Sequence, residues 1–316
     1  DALRVNLNTA NQISRKNSVL IKQSYFIGRI DTVAQEVMKK VLPTNKISYQ
    51  LLYTNDSFSF LKDEQDDFSI IPQGLIDPDF TRDSTNVKHV QNEFIYSFFL
   101  RGKSNTMIKN ELKLDLGIRH DYYKYMQSSR YQDLTDYYRY ESTFQNSSLL
   151  GALGYRFSNR VDLNVDVQQI FQGKQIGDFL YEAKSNVLLS KAAGRIVLGA
   201  YLQNKSPEEL YNRYFGNHYQ WVNNFDRTKT VNFSFNYIND KYQFEAGAQY
   251  NLIDDYLYFA QEGDAGIRPQ QFGSAINLLK VTLGKKLKFG KFNLDSYVVY
   301  QKSGTEDILR TPEVYT

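Results

Sequence analysis

The chain of 316 residues contains no cysteine, which excludes a disulfide scaffold and any thiolate metal site and fits an oxidising or surface compartment. No run approaches the roughly 18 consecutive apolar residues that a membrane-spanning helix needs, so a helical membrane protein is excluded as well. Charge of a single sign is also missing. Lys and Arg number 38 against 35 Asp and Glu, a formal charge of +3, and so no basic excess advertises a nucleic-acid partner. Histidine is scarce too: His89, His120 and His218 lie on separate segments, with no second histidine or carboxylate at ligand spacing, so no metal centre is expected. No glycine-rich phosphate loop and no nucleophile elbow is present. An outer-membrane hydrolase would need Ser97 or Ser234 brought to His120, and nothing in the sequence marks such a pairing. The expectation is no cofactor and no enzymatic activity.

What the chain does have is alternation. From residue 108 to 122, Ile108, Leu112, Leu114, Leu116, Ile118 and Tyr122 fall on one parity, and Lys109, Glu111, Lys113, Asp115, Arg119 and Asp121 on the other. Successive side chains of a strand point to opposite faces, so one face here meets an apolar medium and the other meets water. At about twice the usual strand length, the span suits a membrane crossing better than a soluble sandwich. The pattern recurs at 161–171, 231–237 and 242–250, and in weaker copies at 18–28, 46–58, 90–101, 149–157, 181–190, 196–203, 275–287 and 292–301. Mean hydropathy of −0.53 is no obstacle, because only alternate residues face lipid. The 25 Tyr and 21 Phe suit the aromatic girdles at the two membrane interfaces. The reading is an all-β, transmembrane, antiparallel up-and-down β-barrel of at least about twelve strands.

Connections alternate in length, as hairpins facing two compartments should. Short periplasmic turns are expected at 102–106, 158–159, 191–194, 239–240 and 288–291, and long extracellular loops at 61–88, 123–143, 204–227, 253–271 and 302–311. Residues 32–42 break the rule: Val33, Val37, Met38, Val41 and Leu42 recur at helical spacing before Pro43, which predicts a short amphipathic helix on the rim or in the lumen. Residues 1–316 read as a single outer-membrane β-barrel domain. The closing Pro312, Glu313, Val314, Tyr315 and Thr316 look like the opening of a further strand, and since an unpaired edge cannot face lipid, the expectation is a fragment of a longer barrel.

The candidate lumen lining is Lys109, Glu111, Lys113, Asp115, Arg119, Asp162, Asp166, Glu182, Lys184, Gln243, Glu245 and Asp295, with Arg195, Gln249 and Asn293 on the same parity. Both signs are mixed, where a strongly selective pore would show a ring of one sign. Such a wall supports passive diffusion of small hydrophilic solutes, or alternatively an ion-paired plug; the number of strands favours an open lumen. Two loops stand out. The acidic residues Asp63, Glu64, Asp66 and Asp67, followed by Asp77, Asp79 and Asp83, match no known Ca²⁺-loop spacing and read as a solvated loop. The aromatic run from Leu210 to Trp221 fits sugar or partner contacts and girdle residues equally well.

Over most of its length the chain resembles the putative porin family of Bacteroidota outer membranes. The likeness runs through Ser24, Tyr25, Phe26, Ile27 and Gly28, the strand at 47–58 with its acidic loop, Asn92, Glu93 and Phe94, and the terminal Leu309 to Thr316. It implies an outer-membrane barrel of poorly defined substrate. The expected setting is the outer membrane of a Gram-negative bacterium, with lipid and lipopolysaccharide, small hydrophilic solutes and other outer-membrane proteins or lipoproteins as candidate partners. The stretch from Tyr250 to Phe259 also resembles late strands of TonB-dependent transporters, which keeps that barrel, or an accessory subunit of a secretion or surface assembly, as the alternative.

Overall fold

Each of the period-two segments is a strand, and each pairs antiparallel with the next. The structure, a computed structural model, describes residues 10–31, 40–62, 71–101, 111–131, 133, 135–263, 266–305, 307–309 and 311–315. The first eight strands are β1 (Ala10–Asp31), β2 (Lys40–Lys62), β3 (Thr81–Arg101), β4 (Glu111–Arg130), β5 (Asp136–Arg156), β6 (Val161–Gly173), β7 (Phe179–Ser190) and β8 (Gly194–Lys205). A one-turn helix α1 (Glu209–Asn212) and the strands β9 (Arg213–Phe215) and β10 (Gln220–Val222) follow. The meander then resumes with β11 (Thr228–Asn239) and β12 (Phe244–Asp254), is interrupted by the hairpin β13 (Tyr256–Glu262) and β14 (Gly266–Phe272), and ends with β15 (Ile276–Phe289), β16 (Phe292–Ser303) and β17 (Val314–Tyr315). All except the two local hairpins and α1 belong to one sheet, ordered β1 to β8, then β11, β12, β15, β16 and β17. Its twelve long strands are those read from the sequence, and Val314 and Tyr315 do open a strand, pairing with Tyr300 and Val299.

Register sorts the side chains into two faces. Leu114 stands opposite Leu153, which continues through Val165, Ala183, Ala200, Phe233 and Tyr250 to Leu279, an apolar row crossing eight strands. One residue along, on the other face, Lys113 continues through Gly154, Asn164, Lys184, Gly199, Ser234 and Gln249 to Lys280. A soluble protein buries the first kind of row; here it is the outside. Phe233 is 58% exposed and Ile118 55%, while Ser129 and Ser148 on the polar face are fully buried. A surface this apolar is stable only against another apolar medium, and a lipid bilayer supplies it.

Four expectations need correction. The link at 123–143 is largely strand and that at 61–88 is strand at its two ends, 61–62 and 81–88, since β2 to β5 run 20–23 residues, about twice what crosses a bilayer. The strands continue because Tyr, Phe and Thr favour the pleated backbone, and above the bilayer neither face is required to be apolar. The link at 253–271 is the hairpin of β13 and β14, not an irregular loop. In the expected helix at 32–42, residues 32–39 lie outside those described, and 40–42 are strand, with Lys40 opposite Asp31 and Leu42 opposite Arg29. Finally, the turn expected at 239–240 spans 240–243, because Asn239 Oδ1 accepts from the Tyr242 amide at 3.0 Å and takes Tyr242 and Gln243 off the β11–β12 ladder, though the Gln243 carbonyl still accepts from the Lys286 amide of β15 at 3.0 Å.

Two outcomes test the facing and the sidedness. Leu114→Arg should lower stability in lipid vesicles by about 2–4 kcal/mol and Lys113→Arg by about zero, read by denaturant unfolding; equal losses would reverse the faces. In intact cells a membrane-impermeant thiol reagent should label Glu262→Cys in the exposed β13–β14 hairpin and leave Lys241→Cys in the 240–243 turn unlabelled.

Candidate functional site

On the strands, Lys113, Asp115, Arg119, Asp162, Asp166, Glu182, Lys184, Glu245 and Asp295, with Arg195, Gln249 and Asn293, all share the polar face. Gln243 does not: it sits in the turn at φ 49, donating from Nε2 to the Asp240 carbonyl at 2.6 Å. Lys109 lies outside the described residues, as does the side chain of Glu111, which opens β4. Along this face the charges cancel locally, two residues apart on one strand. Lys113 Nζ lies 2.6 Å from Asp115, Lys184 2.6 Å from Glu182, and Arg119 3.2 Å from Asp121. Asp166 stands opposite Glu182 and has no ion pair among the described residues. The outcome is a polar wall of low net charge.

Of the three histidines, one meets a carboxylate across the sheet. His89 Nε2 is 2.8 Å from Asp121 Oδ1, because register sets His89 opposite Tyr123, on the same face and two residues from Asp121. The ring lies 4.2 Å from that of Tyr123, which is 4.9 Å from Phe144, a cross-strand ladder of stacked rings. Ser97 and Ser234 lie on the polar face and His120 on the apolar one, so these serines do not meet that histidine.

Sequence reasoning missed the course of residues 206–227. The expected extracellular loop turns back across the polar face as a strap built on α1, β9 and β10. Glu209 accepts from the Tyr140 hydroxyl at 2.9 Å and pairs with Lys174. The Arg213 carbonyl accepts from Gln127 Nε2 at 3.1 Å, the Phe215 amide donates to Gln127 Oε1 at 3.2 Å, and the Phe215 ring stacks 4.4 Å from Tyr138. The tip reaches β3, where the Asn217 amide donates to Asp83 Oδ2 at 2.8 Å, and Asp83 Oδ1 in turn accepts from Ser129 at 2.7 Å. Every one of these wall residues is on the polar face. Starting beside β8 and ending on β3, the strap spans the arc of six strands.

Asn217 holds the tip. Only 1% exposed, it donates from Nδ2 to the carbonyls of Asp77 and Phe80, both at 2.9 Å, and to Thr81 Oγ1 at 2.8 Å, while its Oδ1 accepts from the Ile76 and Asp77 amides at 3.0 Å. His218 bridges Thr81 Oγ1 at 2.7 Å and the Pro72 carbonyl at 2.9 Å. Since that carbonyl accepts only, Nδ1 carries a proton. A Cβ on Gly216 would come within 2.6 Å of Asp83 Oδ2 and 2.7 Å of the Tyr214 hydroxyl, so the close approach requires glycine. Burial and the nearby Asp83 carboxylate push the Tyr214 hydroxyl above the ordinary tyrosine range. Of the two loops singled out in the sequence, the aromatic one is this strap; of the acidic one, 63–67 lies outside the described residues and Asp77 caps its own turn, accepting from the Asp79 amide at 3.0 Å.

Asn217→Ala should release the tip while leaving the sheet folded, since each buried partner it orphans costs about 1–3 kcal/mol and none lies in the bilayer span. The measurement is limited trypsin digestion: cleavage after Arg213 should accelerate at least tenfold by this arithmetic, with the heat-modifiable barrel band unchanged. Unchanged protection would mean that the tip is held by other contacts.

The family model described as "Putative porin" matches residues 1–316, and the chain belongs to that family. No curated protein matches the sequence. Among solved structures the chain is similar to the copper transporter OprC, with a TM-score of 0.63 and 11% identity over 96% of this chain and 49% of that one. It is similar also to the siderophore receptor PirA from Acinetobacter baumannii, at 0.55 and 9% over 92% and 52%, and to the RagAB peptide importer in its closed-closed state, at 0.51 and 11% over 94% and 37%. The chain thus spans about half, or less, of each structure it matches, and at these identities the likeness is one of fold. Family and fold place the protein in the outer membrane of a Gram-negative bacterium.

Proposed function

We propose that this member of the putative porin family forms a water-filled channel for passive diffusion of small hydrophilic solutes, narrowed at its loop end by the strap. The observation that carries the reading is the continuous polar face, whose Lys113–Asp115, Glu182–Lys184 and Arg119–Asp121 pairs leave no ring of one sign. Ions of either sign then meet similar barriers, and size becomes the main filter. In this reading Lys113, Asp115, Asp162, Asp166, Glu182, Lys184, Glu245 and Asp295 line the lumen. Lipid and lipopolysaccharide cover the apolar face, and Bacteroidota are the source.

A second reading has its own support. A strap held by this many hydrogen bonds, in a sheet shaped like that of several outer-membrane transporters and receptors, suits a barrel that opens only when energy or a partner moves the strap. Planar-bilayer recordings on the full-length protein separate the two. The pore reading expects ohmic conductance with little ion selectivity, and a larger unitary conductance for Asn217→Ala with the same selectivity. Closed wild-type protein that conducts only as Asn217→Ala would favour the transporter.

A further inference from the structure

Between the strap and the rim of β5 to β8 lies a cavity of about 580 Å³, within the usual range for small-molecule sites. Its walls are fixed from behind. Asp178, 7% exposed, accepts from the Ser206 amide and hydroxyl, both at 2.7 Å, and from Arg227 Nε at 2.9 Å, and Arg227 Nη2 also donates to the Ile176 carbonyl. The Lys174–Glu209 pair closes the opposite side. Within this frame three charged lining residues have no ion pair among the described residues: Asp226, Asp255 and Lys229. The two acidic residues are held together by one side chain, Gln271, whose Nε2 donates to the Asp226 carbonyl at 2.8 Å and the Asp255 carbonyl at 3.0 Å, while its Oε1 accepts from the Asp226 amide at 2.9 Å. Asp255 sits in the left-handed region, at φ 57, which aspartate adopts more readily than most residues, at the turn between β12 and β13.

We propose that this cavity is a subsite for a small zwitterionic solute, an amino acid or short peptide, with Asp226 and Asp255 taking its ammonium group and Lys229 its carboxylate. The inference rests on the channel reading and names its solute class. A neutral sugar fits less well, because it would leave all three uncommitted charges without a partner. A simple anion or cation would satisfy only one sign of the uncommitted charges and leave the other unpaired against it.

Calorimetric titration of the full-length protein in detergent tests this with triglycine, its neutral N-acetyl amide, and maltotriose. Triglycine should bind saturably, the neutral amide at least tenfold more weakly, and the double variant D226N/D255N should lose at least tenfold for triglycine. Lys229→Met should do the same, and unchanged unfolding transitions show that the variants are folded. No saturable triglycine binding, equal binding of the neutral amide, or preference for maltotriose would overturn the subsite. Ohmic conductance without triglycine binding removes the subsite and keeps the channel; triglycine binding without conductance keeps the subsite and removes the channel.

Discussion

The constraint on which everything else depends is that inside a bilayer no backbone amide or carbonyl can be left to water. A sheet meets it only by pairing each strand with the next, and the unbroken antiparallel order from β1 to β17 does so with hairpins alone, apart from the strap and one local hairpin. Once the ladder is fixed, the pleat decides the rest. A one-residue slip of β4 would move Leu114 to the polar face and Lys113 to the apolar one, so the alternation of charged and apolar residues specifies register strand by strand. The rows Leu114 to Leu279 and Lys113 to Lys280 are the consequence of this agreement across eight strands.

The polar face must then be satisfied from within. It does so in two ways that differ along the barrel axis. At mid-height, neighbours two residues apart neutralise each other, as Lys113 and Asp115 do, leaving each group partly hydrated and each pair individually weak. Towards the loop end, water gives way to chain: Gln127, Ser129 and Asp83 are buried beneath the strap and bonded to it or to one another. Buried polar groups of this kind hold a single geometry when all partners are present and are costly when one is missing. The strap is therefore a built element, anchored at its root by Asp178 and Arg227 and at its tip by Asn217, which bonds Thr81 and Asp83 of β3.

This division also explains what could be read from the sequence. The twelve spans were legible because lipid demands a period of two, and Val161 to Val167 or Val231 to Tyr237 obey it in every residue. The strand ends were not, since above the bilayer β4 continues through Tyr125, Gln127 and Ser129 with no apolar requirement on either face. The length of the turn before β12 was hidden for a related reason: the alternation runs through Tyr242, and only the Asn239 side chain, accepting from the Tyr242 amide, shows that the turn extends to Gln243. Pairings made by register, such as His89 with Asp121, need the alignment of two strands 32 residues apart and have no local signature. The strap is the furthest case, since nothing in Gly216, Asn217 and His218 announces that their partners are Pro72, Asp77, Thr81 and Asp83. A glycine beside an asparagine reads as an ordinary loop.

The same contrast bears on how solute would pass. A wall of locally cancelled charge offers few strong binding points, and so lets solutes leave as readily as they enter, a condition for fast diffusion. The strap reverses this at one end, gathering uncommitted charges of both signs around a cavity while keeping its own backbone satisfied by the wall. The strap's contacts run from β3, β4 and β5 at its tip to the β13–β14 hairpin at its root, where Tyr211 and Trp221 meet Phe259 and Asp226 bonds Gln271. In the proposed channel, solute would meet the uncommitted charges at the strap before it met the ion-paired wall, so selection would belong to the loop end and permeation to strands whose alternation the bilayer holds fixed.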